Sequence, residues 1–282
     1  MNVTLPEKER ISKKRITIYL IVAAICILAI VVVIGVQVLG NDVVDNMFGI
    51  NKLTKRTEQE EAELKANFEN IFDNQVEDKE EHKTKKEDEN QKIIYTSYQK
   101  KEKENGYEID VNLPYVNIKN SSVQKFNKEI SDIFEKKAEE ILKETDRNII
   151  FTVKYTANIE NDILSLIIYS DLKQDLSAQR TIIQTFNFNL ETNKELTLDE
   201  VIKIYELNKD EVQNKINKDI QTAQKKSEDL IELGYNVFSR DVESDIYKVD
   251  NIEEYFIYNN NIYIIFAYGN DKMTSEKDLV II

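Results

Sequence analysis

The sequence predicts an α+β fold, an antiparallel sheet with packed helices, preceded by one transmembrane helix and a charged stalk. Three observations lead there. Ile16–Leu39 reads ITIYLIVAAICILAIVVVIGVQVL, with no charged residue. Residues 77–92 read EDKEEHKTKKEDENQK, in which thirteen of sixteen residues are charged or His. From Ile93 onward, runs of alternating apolar and polar residues are interleaved with apolar stripes of helical period.

As a helix rising 1.5 Å per residue, the apolar run covers roughly 36 Å, more than the roughly 30 Å hydrocarbon core of a bilayer. Lys8, Arg10, Lys13, Lys14 and Arg15 precede it against Glu7 and Glu9, while Asp42 and Asp45 follow it and the next basic residue is Lys52. Short basic flanks stay cytoplasmic. The expected topology is therefore single-pass in the cell membrane. Residues 1–15 form a short cytoplasmic tail, 16–39 lie in membrane lipid, and the C-terminal domain is extracellular. A cleavable signal would be shorter and end in a small-x-small site, which Val36–Gly40 lacks. Cys26 follows Ile25 rather than the small residue of a lipidation site, and reads as a small hydrophobe of the anchor. It is the only cysteine, so the outer part holds no disulfide.

Residues 40–91 read as a charged stalk, part helical and part disordered. Within it, Glu58–Val76 places Leu64, Phe68, Ile71, Phe72 and Val76 on one stripe. That stripe suits a coiled coil, a dock onto the main domain, or a marginal helix. The charged run beyond it cannot bury enough apolar surface to offset its ordering entropy, and reads as a solvated tether. It contains His82, the only histidine.

Residues 92–282 read as the extracytoplasmic α+β domain, with one core or two subdomains at about 92–195 and 196–282. Ile93–Tyr98 and Tyr107–Val116 are strands around Asn105-Gly106. Asn120 or Ser121 caps a long helix with the stripe Val123, Phe126, Ile130, Ile133, Phe134, Ala138, Ile141 and Leu142. Ile149, Phe151, Val153, Tyr155, Ala157 and Ile159 alternate with Thr152, Lys154, Thr156 and Asn158, the pattern of a half-buried strand. Asn161-Asp162 turns into Ile163–Tyr169, which is apolar on both faces and so central. Ile182–Leu190 follows, burying Ile182, Phe186, Phe188 and Leu190, and a turn at Thr192-Asn193-Lys194 suits Asn193 to a left-handed backbone. A short helix starts at Leu198-Asp199. A longer one starts at Asn208 or Asp210, with Val212, Ile216, Ile220 and Ala223 facing inward. A hairpin of Tyr255–Tyr258 and Ile262–Tyr268 and a strand at Leu279–Ile282 close the chain.

Composition excludes several chemistries. The net charge is −14, and since residues 1–15 carry five basic and two acidic side chains, the remainder carries −17. That argues against nucleic acid, whose phosphates need clustered Lys and Arg, and is compatible with a cationic protein partner. One histidine in a tether leaves no Ser-His-Asp, Cys-His or zinc constellation. The six glycines are scattered and form no phosphate-cradling loop. The best metal candidate, Asp241-Val242-Glu243-Ser244-Asp245, has Ile246 and Ile252 where a calcium loop needs Gly and Glu, and reads as a solvated edge. Tyr255, Tyr258, Tyr263 and Tyr268 offer faces for a wall glycan, but interleaved with Ile262, Ile264, Ile265 and Phe266 they read as core with polar tips. No catalytic, cofactor-binding or metal residue is assigned, no cofactor is implied, and the binding residues are unknown.

The order of elements carries a resemblance. Val123-Gln124-Lys125-Phe126-Asn127 behind Pro114, Leu164-Ser165-Leu166, the stretch Phe186–Val201 (FNFNLETNKELTLDEV) and Ile262–Tyr268 (IYIIFAY) resemble the extracytoplasmic domain family of RsiV-type anti-sigma factors, also found ahead of peptidoglycan deacetylase domains in Gram-positive bacteria. The resemblance covers roughly residues 93–282, strongest over Phe186–Val201. It implies a sensing or binding domain outside the membrane, which in one branch recognises lysozyme, a very basic protein. Ser177-Ala178-Gln179 stands where relatives have a Gly-rich turn with a His, and Asn193 and Asn261 stand where Gly is usual. The fifteen-residue cytoplasmic part is too short for a sigma-binding domain, and no deacetylase domain follows. The expected function is a non-enzymatic, membrane-anchored binding or sensing module of a Gram-positive cell envelope, recognising a secreted protein or cell-wall component. The alternative is a structural subunit of an envelope complex that pairs with a membrane protein through its stalk.

Overall fold

Helix α1, Glu58–Ala66, opens on a capping box: Glu60 N–H donates to Thr57 Oγ1 (3.2 Å) and Thr57 N–H to Glu60 Oε2 (2.7 Å). It lies at the start of what the computed structural model describes, residues 56–73, 76–78, 85–144 and 147–282. The apolar run 16–39, the stalk residues up to Lys55, and residues 79–84 with His82 lie outside the described residues. Among the described residues, no helix is long and apolar enough to cross a membrane.

The stalk is where the structure departs most from the sequence reading. α1 ends at Asn67, well before Val76, and a 3-10 turn follows over Phe68–Asp73. Phe68, Ile71 and Phe72 are buried against Ile167, Ile183, Phe256, Tyr263, Ile265 and Ile281. Strand β1, Val76–Asp78, then runs parallel to Ala157–Ile159. The apolar stripe is thus a dock, and its aromatic residues are not available to a coiled-coil partner. Part of the charged run is ordered as well. Asn117, itself buried, accepts from Asp88 N–H (2.9 Å) and donates to Asp88 O (2.7 Å) and Lys92 O (3.2 Å). Composition could not reveal this, because one buried amide satisfying backbone groups does the ordering. The compact unit is Arg56–Ile282, so neither a boundary at residue 92 nor a division at 195/196 holds.

The first sheet has the order β2 (Ile94–Lys103), β3 (Tyr107–Val116), β4 (Ile149–Glu160), β5 (Ile163–Gln174), β6 (Arg180–Asn189) and β7 (Lys194–Glu195), with β1 also on β4. It is mixed rather than antiparallel. β3 and β4 run parallel, Tyr107–Val111 beside Ile149–Val153. The cause is the helical segment between them, α2 (Ser121–Ile130), a π turn (Ser131–Glu135) and α3 (Lys136–Ile141), which forms a crossover where the other neighbours have hairpins. The π turn follows from spacing. Phe126, Ile130, Phe134 and Ala138 recur every four residues, and a wider turn keeps them on one face where 3.6 residues per turn would drift. Phe134 is buried and Ile133 turns outward, 40% exposed.

This helical layer covers one face of the sheet. Ile149, Phe151, Val153, Tyr155, Ala157 and Ile159 lie in its core with Leu164, Leu166, Ile168, Phe186 and Phe188, and Phe126 stacks on Phe186 at 4.5 Å. A second sheet, β8 (Tyr255–Tyr258), β9 (Asn261–Ala267) and β10 (Lys277–Ile281) in the order β10-β9-β8, covers the other face. β5 is central, as its two apolar faces predict. β4 is half-buried only over its first half, since Thr156 and Asn158 are buried on the second face. Helices α4 (Leu198–Ile204) and α5 (Lys209–Glu232) follow β7. α5 buries Val212, Ile216 and Ile220 and packs on β10. It ends in a Schellman turn at Gly234 (φ 88°), with Tyr235 N–H on Leu230 O (3.0 Å). The hairpin turns hold Asn161, Asp162, Asn259 and Asn260 in the left-handed region, while Asn261 begins β9.

The open edges of β8 and β6 are closed by dedicated groups. Asn158, Ser165 and Asn187 are direct neighbours across β4, β5 and β6 and form a buried polar row on the second face. Ile257 N–H donates to Ser165 Oγ (2.8 Å), Ser165 donates to Asn187 Oδ1 (2.5 Å), and Asn187 Nδ2 donates to Tyr255 O (2.8 Å). Asn158 Nδ2 donates to Ile257 O (3.2 Å). The row thus takes the outward backbone groups of β8. Along β6, the N–H groups of Thr181, Ile183 and Thr185 donate to Thr274 O (3.1 Å), Asn270 Oδ1 (2.9 Å) and Glu254 Oε2 (2.6 Å). Gly269 makes that approach feasible, since a Cβ there would lie 1.8 Å from Thr181 O.

Candidate functional site

A groove of about 810 Å³ lies between α1, α5 and β10. β10 and its approach contribute Glu276 to Val280 in unbroken sequence, α1 contributes Glu58, Glu61, Ala62 and Lys65, and α5 contributes residues from Lys215 to Leu230. Four charges bridge the two helices. Lys65 Nζ reaches Glu61 Oε1 (2.7 Å) and Asp219 Oδ2 (3.2 Å), and Lys215 Nζ reaches Glu61 Oε2 (2.9 Å) and Asp219 Oδ2 (3.1 Å). Burial alone would raise Glu61, but the hydrogen bonds from Lys65 and Lys215 outweigh it and hold Glu61 at about 2.

At the other end stands Arg240, whose side chain is buried. Its Nε and Nη2 meet the two oxygens of Asp278 (2.5 and 2.9 Å), and Nη1 takes Ser227 Oγ and Phe238 O (2.5 and 2.8 Å). Tyr268 donates to the same carboxylate (2.6 Å) and exchanges a hydrogen bond with Tyr247 (2.8 Å). Lys277 pairs with Glu69 (2.8 Å). Among the described residues, Lys218 and Lys226, on the α5 wall, make no ion pair. The groove therefore presents recognition chemistry, a strand backbone between charged walls. Its carboxylates Glu61, Asp219 and Asp278 are each neutralised by Lys or Arg, which disfavours acid–base roles.

The residues singled out in the sequence fall elsewhere. Asp241 accepts from Glu243 N–H (3.2 Å) and Asp245 pairs with Lys248 (2.5 Å), a turn with an ion pair. Among the described residues no group of three or more His, Cys, Asp or Glu side chains converges as a metal site. Tyr255, Tyr263 and Tyr268 are buried, with the Tyr255 hydroxyl on Leu196 O (2.6 Å), so they are core with polar tips. Glu254 is the most perturbed carboxyl. Desolvation of its carboxyl end against β6 lifts it to about 8, and its Thr185 bond marks it as an edge plug.

The groove was not legible beforehand because its walls lie some 150 residues apart, Lys65 meeting Asp219 and Glu61 meeting Lys215. Its one sequence trace is the i,i+4 pairs Glu61–Lys65 and Lys215–Asp219, which by themselves read as ordinary helix surface.

No protein-family model matches the chain, and no curated protein matches it. Among solved structures, a DUF3298 family member from Bacteroides fragilis is 11% identical, with 62% of this chain and 80% of that one covered and a TM-score of 0.33. A DUF3298 family protein from Pseudomonas aeruginosa is 10% identical, covering 64% of this chain and 81% of its own, with a TM-score of 0.35.

Proposed function

We propose that this chain is a single-pass, membrane-anchored extracytoplasmic binding module, non-enzymatic, that recognises a secreted protein or cell-wall component of a Gram-positive envelope. The observation that carries this reading is where the domain starts. The compact unit begins at Arg56, shortly after an uncharged run of bilayer-spanning length. At 3.3–3.6 Å per residue, the intervening chain of residues 40–55 reaches at most about 55 Å. The module works close to the membrane rather than at the end of a long tether. Its net acidity favours a cationic partner such as a lysozyme-like protein. Pairing with a membrane protein through the stalk loses its main support, because Phe68, Ile71 and Phe72 are buried in the domain.

Protease treatment of intact cells carrying the full chain tests the topology: residues 56–282 should be digested, and their protection overturns it. Retention of a basic lysozyme-like protein and of isolated cell wall on the immobilised chain, at physiological salt, tests recognition. Retention of neither refutes it.

A further inference from the structure

The three-stranded sheet leaves one edge without the closure given to the others. Ile282 and Ile262 exchange both backbone hydrogen bonds (3.0 and 2.9 Å), which fixes the phase of the β9–β10 ladder. In an antiparallel pair, bonded and non-bonded residues alternate, so Lys277, Leu279 and Ile281 turn their N–H and C=O groups away from β9. Among the described residues, these outward groups meet no hydrogen-bond partner. By contrast, the edge of β8 is closed by Ser165, Asn187 and Asn158, and that of β6 by Thr274, Asn270 and Glu254. β10 and its approach also line the groove from Glu276 to Val280.

The wall beside that edge is loosely attached. α1 packs on β10 but has no buried residue, and it is joined to α5 by the four-charge bridge of Glu61, Lys65, Lys215 and Asp219. Partly exposed ion pairs contribute little each, so α1 belongs to the low-stability end of the domain, pivoting on the buried Phe68.

We propose that the outer edge of β10 receives an extended segment of a protein partner as a fourth strand, with α1 as the displaceable strap over it. The occupant is a peptide of alternating apolar and acidic residues. Its backbone pairs with Lys277 and Leu279, its apolar side chains meet Leu230 and Ala223, and its carboxylates meet Lys218 and Lys226, which have no ion pair of their own. Displacing α1 also frees Lys215 from Glu61. The inference deepens the reading of the domain as a binding module by naming the form in which a partner is held.

The test uses the full chain in nanodiscs and an eight-residue peptide alternating valine and glutamate. The peptide should bind and slow hydrogen exchange at the N–H groups of Lys277 and Leu279. A peptide N-methylated at alternate residues on its pairing edge should bind at least about tenfold more weakly, having lost its strand donors. Glu61→Lys, which faces Lys65 and Lys215 with a third cation, should strengthen binding by about tenfold as the open fraction rises. Lack of exchange protection in both the native and Glu61→Lys chains overturns the proposal, as does equal binding of the N-methylated peptide. A basic protein or wall fragment retained without protection at these amides would overturn this inference and leave the binding module standing.

Discussion

Replacing Asn187 by alanine tests whether the polar row, rather than apolar burial alone, seats the second sheet on the first. Asn187 accepts from Ser165 (2.5 Å) and donates to Tyr255 O (2.8 Å), and it is only 3% exposed. Asn187→Ala leaves a buried hydroxyl and a buried carbonyl unpaired, at about 1–3 kcal/mol each, so the loss is about 2–5 kcal/mol. With a urea slope near 2 kcal/mol/M, the midpoint falls by about 1–2.5 M at unchanged slope. Ser165→Ala strands Ile257 N–H in the same way and costs about 1–3 kcal/mol. The double variant should lose less than the two single losses combined, because they share one hydrogen bond. The measurement is urea unfolding of the Arg56–Ile282 unit, with exchange at the Ile257 amide as the local readout. A midpoint shift for Asn187→Ala below about 0.3 M, or strictly additive single losses, refutes the reasoning.

Three further outcomes follow from the same geometry. Gly269→Ala puts a Cβ 1.8 Å from Thr181 O and 2.5 Å from Thr274 O, so the turn must lift from β6. Stability should drop by about 3 kcal/mol, with faster exchange at the Thr181 and Ile183 amides. Arg240→Ala leaves the Asp278 carboxylate, 15% exposed, without its bidentate partner, and should cost about 3–5 kcal/mol in urea unfolding. Glu254 has its folded value raised from 4.5 to about 8, so its contribution is fully present below pH 4.5 and is lost as pH rises through 8. Stability of the native domain should decline across that window, and Glu254→Gln should flatten the decline; an unchanged slope excludes Glu254 as its source.

Local pattern was enough for most elements. The alternation at Ile149–Ile159, the doubly apolar Ile163–Tyr169 and the hairpin at Asn259-Asn260 all correspond to observed strands and turns. The helix beginning after Asn208 has its expected cap, with Asp210 N–H on Asn208 Oδ1 (2.9 Å). These features report on one face or one turn at a time, which is the range periodicity covers. The mixed sheet went unseen because strand direction depends on how the helix of residues 121–141 crosses between β3 and β4. Thr156 and Asn158 read as a solvated face because a polar residue under a second sheet looks, in sequence, like one facing water.

Composition and period alone determine that an uncharged run of bilayer length precedes an acidic α+β domain with one histidine and one cysteine. Burial and hydrophobic spacing are local properties, and a sequence displays them. Tertiary structure decided that Phe68, Ile71 and Phe72 belong to the domain core, that Asn158, Ser165 and Asn187 close one strand edge, and that Lys65 and Lys215 meet Glu61 and Asp219 across a groove. Those arrangements join residues tens to some 150 positions apart through hydrogen bonds and ion pairs. Such bonds have short range in space and leave no period in the chain.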